Sequence, residues 1–257
     1  MAKFVTAERV SRDASDNFVF QRSLLAYNAA AQRINGDVLE IGTGLGYGIE
    51  VVAPYAARFV TIDKHAPAAQ LIQEQHVTFH QATVPPLNFA SESFDFVITF
   101  QVIEHIVHDV EFVREIRRVL RPGGRLIVTT PNAPMSLTRN PWHVREYTAD
   151  QLYNLLKCEF EQVEALGVAG NEKVMAYYEN NRRNVERLMR YDVLDLQHRL
   201  PRWMLQLPYD ILNRRNRRKL LHTDSDLTLS IAMEDYQLTP VTDRCFDLFY
   251  IAQKSTQ

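Results

Sequence analysis

The sequence predicts an α/β protein built around a mostly parallel β-sheet. Short runs of apolar and β-branched residues alternate with stretches of helical periodicity, which is typical of parallel strands covered by helices on both faces. The 257-residue chain has 46% hydrophobic and 23% charged residues, as ordinary globular proteins do. No apolar run approaches the roughly 18 residues needed to cross a bilayer. These observations exclude a disordered or coiled-coil chain, and we expect one large domain with an insertion.

The elements are predicted in a regular order along the chain. An alanine-rich helix covers 18–34, within an N-terminal helical segment assigned to 1–35. Apolar residues at 110, 113, 116 and 120 have helical spacing, and the turn at 121–124 should end that helix. A later helix should begin after Thr148 as N-cap and end near Cys158. Seven strands are predicted at 38–41, 59–62, 77–80, 94–100, 125–130, 160–167 and 245–253.

A basic insertion separates the sixth and seventh predicted strands. Residues 168–240 have mostly helical patterns, so the core is assigned to 36–167 and 241–257. Within 182–219, ten Arg and one Lys stand against four acidic residues, which gives this window a charge of +7. A block of like charge indicates an interaction surface. We expect a lid, a substrate element or an oligomer contact here rather than a nucleic-acid site.

One part of this insertion leaves a further alternative open. The segment 203–221 mixes apolar residues with arginines, so peripheral contact with a membrane surface stays open. Pro201 and Pro208 should break the segment into short pieces, which weakens the case for a membrane-surface helix.

A glycine-rich turn follows the first predicted strand. Glu40 comes two residues before the first of three closely spaced glycines, Gly42, Gly44 and Gly46. Glycine lets the backbone approach a ligand without interference from a Cβ atom. Asp63 ends the second predicted strand, and an acid at this position can accept hydrogen bonds from both hydroxyls of a ribose. The glycine spacing differs from the dinucleotide fingerprint, so we expect a nucleoside-containing ligand other than NAD.

These residues resemble the first motifs of the class I S-adenosylmethionine-dependent methyltransferases. Residues 94–98 look like that family's fourth strand, 100–105 like the loop after it, and 115–124 like the helix and turn before strand five. The resemblance covers about 35–167 and the last strand. It implies a seven-stranded, mostly parallel, Rossmann-like sheet of order 3-2-1-4-5-7-6, with the last strand antiparallel. It also implies binding of S-adenosylmethionine, and of its product S-adenosylhomocysteine, at the carboxyl ends of the strands.

The same resemblance implies a set of cofactor-binding residues. Gln101 and Val102 would line the cofactor pocket, and Asp63 would bind the ribose. Many members carry an Asp after strand three that accepts from the adenine amino group, but 80–86 holds no acid here, so Gln81, Thr83 or a backbone carbonyl must serve. The predicted set is Glu40, Gly42, Thr43, Gly44, Gly46, Asp63, Lys64, Ala82, Thr83, Val84, Gln101 and Val102.

The loop after the fourth strand raises the question of a metal. Gln101, Glu104 and His105 would share one face if helical. Ubiquinone-pathway O-methyltransferases and small-RNA 3′-terminal ribose methyltransferases look similar, but carry Glu-x-x-Glu-His, a metal site in some members. A neutral amide is a poorer ligand for a hard divalent cation than a carboxylate. We therefore predict no metal site. If a site were present, His143 would be the further ligand beside Glu104 and His105. Otherwise Glu104 and His105 should face the substrate or cap the next helix.

The candidate catalytic residues are His143, Tyr147 and His105. His143 and Tyr147 belong to a loop, NPWHVREY at 140–147, that follows strand five on the cofactor side of the sheet. We expect His143 to be the general base, since an unperturbed histidine titrates near neutral pH. Tyr147 should lie beside the transferred methyl, with Arg145 or Glu146 orienting the pair. The alternative is a surface loop that packs its tryptophan.

Together these features predict methyl transfer to a small-molecule acceptor, more at oxygen than at nitrogen or carbon. An RNA ribose 2′-O-methyltransferase and a non-catalytic S-adenosylmethionine-binding module are the alternatives. The absent first Glu and the acidic remainder of the chain, with a charge of −9 outside the basic window, stand against RNA. Two cysteines are too few for a disulfide framework or a zinc cluster, and no secretion signal is evident. We expect a cytoplasmic protein, and oligomerisation stays open.

Overall fold

A computed structural model describes residues 9–67, 76–192 and 194–256. Residues 1–8 of the predicted N-terminal segment and residue 193 of the predicted insertion lie outside the described residues. The strands are β1 (Asp37–Ile41), β2 (Arg58–Asp63), β3 (Val77–Gln81), β4 (Phe94–Phe100), β5 (Leu120–Pro131), β6 (Gln162–Gly170), β7 (Tyr236–Pro240) and β8 (Asp247–Gln253). The helices are α1 (Asn17–Ala31), α2 (Tyr47–Val52), α3 (Asp109–Val119), α4 (Ala149–Lys157), α5 (Glu172–Met189), α6 (Leu196–Arg199), α7 (Arg202–Thr223) and α8 (Ser225–Ser230).

The predicted strand order is confirmed, with one strand added. In the described residues the sheet has eight strands in the order β3-β2-β1-β4-β5-β8-β6-β7. Strands β1 to β5 pair in parallel, and β8, the seventh predicted strand, runs antiparallel between β5 and β6. The prediction of seven strands is corrected because β7, inside the predicted insertion, pairs antiparallel with β6 at the edge. Only the first of its five residues is buried, so it lacks the apolar run that marks the other strands.

Strand β5 is longer than predicted and contains the segment predicted as a turn. The register between β4 and β5 shifts between Phe94 and Phe96, so the Arg-Pro-Gly-Gly segment bulges out of the ladder instead of ending it. Arg121 in this bulge donates to Asp95 at 2.6 Å and to Asp37 at 2.8 Å. These bonds tie the amino ends of β1, β4 and β5 together.

Helices cover both faces of the sheet, as the strand pattern predicts. Neighbouring residues of β1 divide between two buried apolar clusters: Val38 lies in one and Leu39 in the other, because successive strand residues point to opposite faces. Helices α1, α2 and α5 pack on the first face, and α3 and α4 on the second. Thr148 caps α4 as predicted, accepting from the Gln151 N–H at 3.3 Å.

The basic segment of the insertion forms one long helix. Helix α7 runs for 22 residues with Pro208 inside it, so the prediction that Pro201 and Pro208 divide it is wrong. Pro201 stands at the N-cap, where no backbone N–H is needed, and Pro208 removes a single bond from a long ladder. Trp203, Leu207 and Ile211 are exposed at four-residue spacing, so they share a face. Contact of 203–221 with a membrane surface stays a prediction. None of the helices in the described ranges combines the length and apolar character needed to span a membrane.

Candidate functional site

The predicted cofactor residues follow strands whose carboxyl ends meet at one edge of the sheet. The loops after β1 to β3 are joined there by backbone hydrogen bonds. The Gly42 N–H donates to the Ile62 carbonyl at 2.8 Å, and the Ala82 N–H donates to the Asp63 carbonyl at 3.0 Å. Lys64 and Thr83 are exposed beside these bonds, while Ala82 and Val84 are half-buried. Open parallel sheets bind their ligands at this edge.

The glycine loop has a conformation that only glycine adopts easily. Gly42, Gly44 and Gly46 have φ angles of +96°, +57° and +87°, all in the left-handed region. A Cβ atom added to Gly44 would meet nothing within 4 Å, whereas one added to Gly42 would lie 2.4 Å from a Val102 methyl. Gly42 therefore packs against Val102, and the backbone at Gly44 faces open space that a ligand can approach.

Asp63 lies beside the open face of this loop. One carboxylate oxygen accepts from the Gly44 N–H at 2.9 Å, and the other accepts from the His65 N–H at 2.8 Å. Arg9 approaches the second oxygen at 3.5 Å. A carboxylate has about four lone-pair sites, so Asp63 can still accept from ribose hydroxyls. The open backbone and this acid fit the ribose side of S-adenosylmethionine.

Glu40 and Thr43 support the loop from inside the protein. The Glu40 side chain is 1% exposed; it accepts from the Tyr27 hydroxyl at 3.0 Å and from the Thr61 hydroxyl at 2.5 Å. The Thr43 and Thr61 hydroxyls are 2.6 Å apart. Burial raises the pKa of Glu40 to about 7. A Cβ on Gly48 would lie 2.2 Å from the Tyr27 ring, so this glycine makes room for Tyr27.

Gln101, directly after β4, has a strained backbone and lies beside a buried ion pair. Gln101 has a φ of +56°, a costly conformation for a residue with a side chain, and it is therefore not helical. Its amide donates to Thr129 at 3.3 Å and lies close enough to Asp247 to lower the pKa of that carboxyl. Arg22 lies 2.8 Å from Asp247, and burial raises the pKa of Asp247. Nothing in the local sequence pairs Arg22 with Asp247, since they lie near opposite ends of the chain.

Glu104, His105 and His143 come together beyond the end of β4. Each offers one ligand atom, and these atoms all lie within 4.8 Å of one another, so the group could hold a cation. Glu104 is 1% exposed and accepts from the Thr130 hydroxyl at 3.0 Å. The two imidazole rings meet edge to face, with centroids 5.0 Å apart. The absence of a metal stays a prediction.

A chain of hydrogen bonds fixes the protonation of His143. The Trp142 N–H donates to the side-chain oxygen of Asn140 at 3.0 Å, so the Asn140 nitrogen is the atom 2.9 Å from Nε2 of His143. An amide nitrogen only donates, and Nε2 therefore accepts. The other ring nitrogen, Nδ1, lies 3.0 Å from Glu146 and carries the proton. Both ring nitrogens of His143 thus have partners.

Tyr147 is buried beneath the loop. Its side chain is 3% exposed and belongs to a buried apolar cluster, and its hydroxyl donates to Asp109 at 2.8 Å. Arg145 also pairs with Asp109. Burial raises the pKa of the Tyr147 hydroxyl well above its ordinary value. Tyr147 therefore anchors the loop to α3, since burial of its apolar ring is favourable, and its place beside the transferred methyl stays a prediction.

Comparison with known proteins identifies the domain. Residues 39–128 match a family described as "Methyltransferase domain". This region carries the glycine loop, Asp63 and the Glu104-His105 pair. The matched region of this chain is therefore similar to a methyltransferase domain. The relatives are named as S-adenosylmethionine-dependent, and S-adenosylmethionine is the cofactor that the resemblance of the glycine loop and Asp63 implies.

The related methyltransferases are similar over part of their length. A "Probable S-adenosylmethionine-dependent methyltransferase" of Mycolicibacterium smegmatis is 38% identical over 164 residues, which cover 60% of this chain and 64% of that protein. A "Ubiquinone biosynthesis O-methyltransferase" of Cereibacter sphaeroides is 28% identical over 157 residues, 52% of this chain and 64% of that one. The chain therefore spans less than two thirds of these relatives.

A solved methyltransferase shows the same fold. The S-adenosylmethionine-dependent methyltransferase of Thermotoga maritima superposes with a TM-score of 0.59 at 14% identity and covers 96% of this chain and 97% of that one. Because identity is low, this likeness supports the Rossmann-like α/β fold and not a particular acceptor.

Removing the Asp63 carboxylate should weaken cofactor binding. Asp63→Ala should lower the affinity for S-adenosylhomocysteine about tenfold or more, because a hydrogen bond to a charged group contributes about 1.5–3 kcal/mol. Titration calorimetry measures the change, and Asp243→Ala, at an exposed position, should bind as the wild type does.

Gly44→Val should abolish binding by filling the open space at the loop. Wild-type affinity in either site variant would remove that residue from the cofactor site.

Glu40 should make stability depend on pH. The folded protein holds its carboxyl proton up to about pH 7, whereas the ordinary pKa is 4.5. Between these values the folded state binds more protons, so the free energy of unfolding should fall as pH rises, by about 1.4 kcal/mol per unit at most. Glu40→Gln should flatten this fall in urea denaturation between pH 5 and 7, within that window. The exposed-site control Glu50→Gln should keep it. An unchanged slope in Glu40→Gln would contradict the assignment.

Proposed function

We propose that this chain transfers the methyl group of S-adenosylmethionine to a hydroxyl oxygen of a small-molecule acceptor. The observation that carries the proposal is the His105–Glu104–His143 cluster, which lies just beyond the strand whose end forms part of the predicted cofactor site. A hydroxyl needs a base to become a good nucleophile near neutral pH, and a positioned histidine is the commonest such base. Similarity to a protein named as an O-methyltransferase supports oxygen as the acceptor atom.

His105 is the general base in this proposal. Its Nδ1 lies 3.0 Å from the Trp142 carbonyl oxygen, which only accepts, so Nδ1 carries the proton and the lone pair of the neutral ring is on Nε2. When bound, S-adenosylmethionine supplies a methyl group on a positively charged sulfur. Nε2 of His105 takes the hydroxyl proton of the acceptor, and the nearby Glu104 carboxylate stabilises the imidazolium ion that forms.

His143 is a positioning residue. The sequence favours it as the base, whereas this proposal gives it a supporting role because Asn140 and Glu146 hold its ring through both nitrogens. Its ring packs edge-on against His105. His143 therefore holds the base in place and carries no proton to or from the acceptor.

Methyl-labelled S-adenosylmethionine tests the class of acceptor. The purified chain is incubated with the labelled cofactor and a cell extract that has been separated into a low-molecular-mass filtrate, an RNA fraction and a protein fraction. We expect label to accumulate in the filtrate, on a product that mass spectrometry and NMR identify as a methyl ether. Label in the RNA fraction would instead support a ribose methyltransferase. S-adenosylhomocysteine binding without transfer to any fraction would support a non-catalytic module.

The base should be revealed by its pH profile. His105→Ala should lower kcat about 10²-fold or more, as expected for loss of proton transfer, while the affinity for S-adenosylhomocysteine stays within about twofold. The wild-type rise of kcat with pH should disappear in this variant. His143→Ala should lower kcat less and keep the rise of kcat with pH. The control His222→Ala, at an exposed position, should behave as the wild type does. A fully active His105→Ala, with this rise intact, would show that another group or the acceptor's own ionisation serves.

Turnover should survive a chelator. The amide of Gln101 donates to Thr129, and among the described residues the cluster that could hold a cation has a single carboxylate, Glu104, with two histidines. Excess EDTA should therefore leave the rate of methyl transfer unchanged within error. Loss of turnover that Mg²⁺, Mn²⁺ or Zn²⁺ restores would assign a metal to this cluster.

A further inference from the structure

A cavity of about 540 Å³ lies beside the proposed base. It is formed by the loop after β5 and by the segment from α6 to the start of α7. None of the predicted cofactor-binding residues lines it, so it is a separate space from the glycine-loop site. The charged and titratable residues of its wall are Arg139, His143, Arg145, Glu146, His198 and Arg202.

Two arginines give the cavity unbalanced positive charge. Arg139 donates to the Gln197 carbonyl at 2.8 Å, and Arg202 donates to the His143 carbonyl at 3.1 Å. Both are half-buried, and in the described part of the chain neither pairs with a carboxylate. A guanidinium carries five N–H donors, so each arginine keeps donors for a ligand while its carbonyl contact holds it in place.

The other charged groups of the wall do not cancel this charge. Arg145 pairs with Asp109, which lies outside the cavity wall. His198 lies 2.6 Å from Asp195. Glu146, which lines the cavity and bonds Nδ1 of His143 at 3.0 Å, keeps its negative charge, so it offsets one of the two arginines and leaves the wall net positive. Arg139 and Arg202 are thus the two charges of the wall that a ligand of opposite sign can neutralise.

The cavity reaches the reaction centre through His143. This residue lines the cavity, and its ring is 5.0 Å from the ring of His105. A ligand held by Arg139 and Arg202 would therefore lie next to the cluster that contains the proposed base.

We propose that this cavity binds an anionic group of the methyl acceptor, a carboxylate or a phosphate, through Arg139 and Arg202. The planar guanidinium fork matches the oxygens of both groups and makes strong, charge-assisted hydrogen bonds with them. The inference rests on the proposed function, because it takes the cavity as the part of the site that holds the acceptor. It narrows the acceptor to hydroxyl compounds that carry a negative charge.

Calorimetric titration with small anions tests the cavity without the acceptor. Inorganic phosphate and acetate are titrated separately at constant ionic strength in chloride, and the tighter of the two identifies the group. Arg139→Gln and Arg202→Gln should each weaken that binding about tenfold or more. Arg187→Gln, an equal charge change at an exposed position of α5, should leave it unchanged. No saturable binding of either anion to the wild type, or wild-type binding in both glutamine variants, would overturn the proposal.

Lysine variants separate binding from folding. Arg139→Lys and Arg202→Lys keep the charge, so they should bind the anion more tightly than the glutamine variants. Equal losses in lysine and glutamine variants, together with lowered thermal stability, would show a structural role and overturn the proposal. All variants should bind S-adenosylhomocysteine as the wild type does. A wild type that binds phosphate but not S-adenosylhomocysteine would refute the proposed function and leave the anion site standing.

Discussion

The buried carboxyl group of Glu40 connects the elements on which the cofactor site depends. It lies on β1 and accepts from Tyr27 of α1 and Thr61 of β2, and Thr61 reaches Thr43 in the glycine loop. Burying a carboxyl group is costly unless its hydrogen bonds are satisfied or it takes up a proton, and its pKa of about 7 reflects this cost. The network fixes the loop in the left-handed conformations that direct the Gly44 N–H towards Asp63.

A second set of contacts joins the loop after β4 to the loop after β5. The backbone N–H groups of Val144 and Arg145 donate to the Glu104 carbonyl at 2.7 and 3.3 Å, and His105 contacts the Trp142 carbonyl. These bonds hold the two histidines next to the loop that lines the arginine-containing cavity. The segment after β4 connects the two sides: Val102 packs against Gly42 of the glycine loop, and Glu104 bonds the loop after β5.

This arrangement explains why the family is easier to establish than the acceptor. The residues that match the methyltransferase family, 39–128, supply the glycine loop, Asp63 and Glu104. The cavity wall comes from 136–146 and 197–202, beyond the matched region. A shared fold fixes where the cofactor and the reacting atoms meet, while loops and insertions set the acceptor. The charge of Arg139 and Arg202 is therefore the most direct guide to the acceptor that this chain offers.

The sequence by itself determined the parallel α/β core, because buried strands and the glycine turn leave local patterns. The strands, the cap at Thr148 and the acid at Asp63 follow from nearby residues, whereas the strand order was implied by the resemblance to the methyltransferases. Tertiary structure alone decided the rest. Strand β7 forms only because β6 offers it an edge, α7 stays continuous through Pro208, and Tyr147 is drawn into the core. The roles of His105 and His143 depend on partners such as Trp142, Asn140 and Glu146, whose bonding directions no spacing rule supplies. Hydrogen-bond direction and burial depend on which distant segments pack together, so only the tertiary structure determines them.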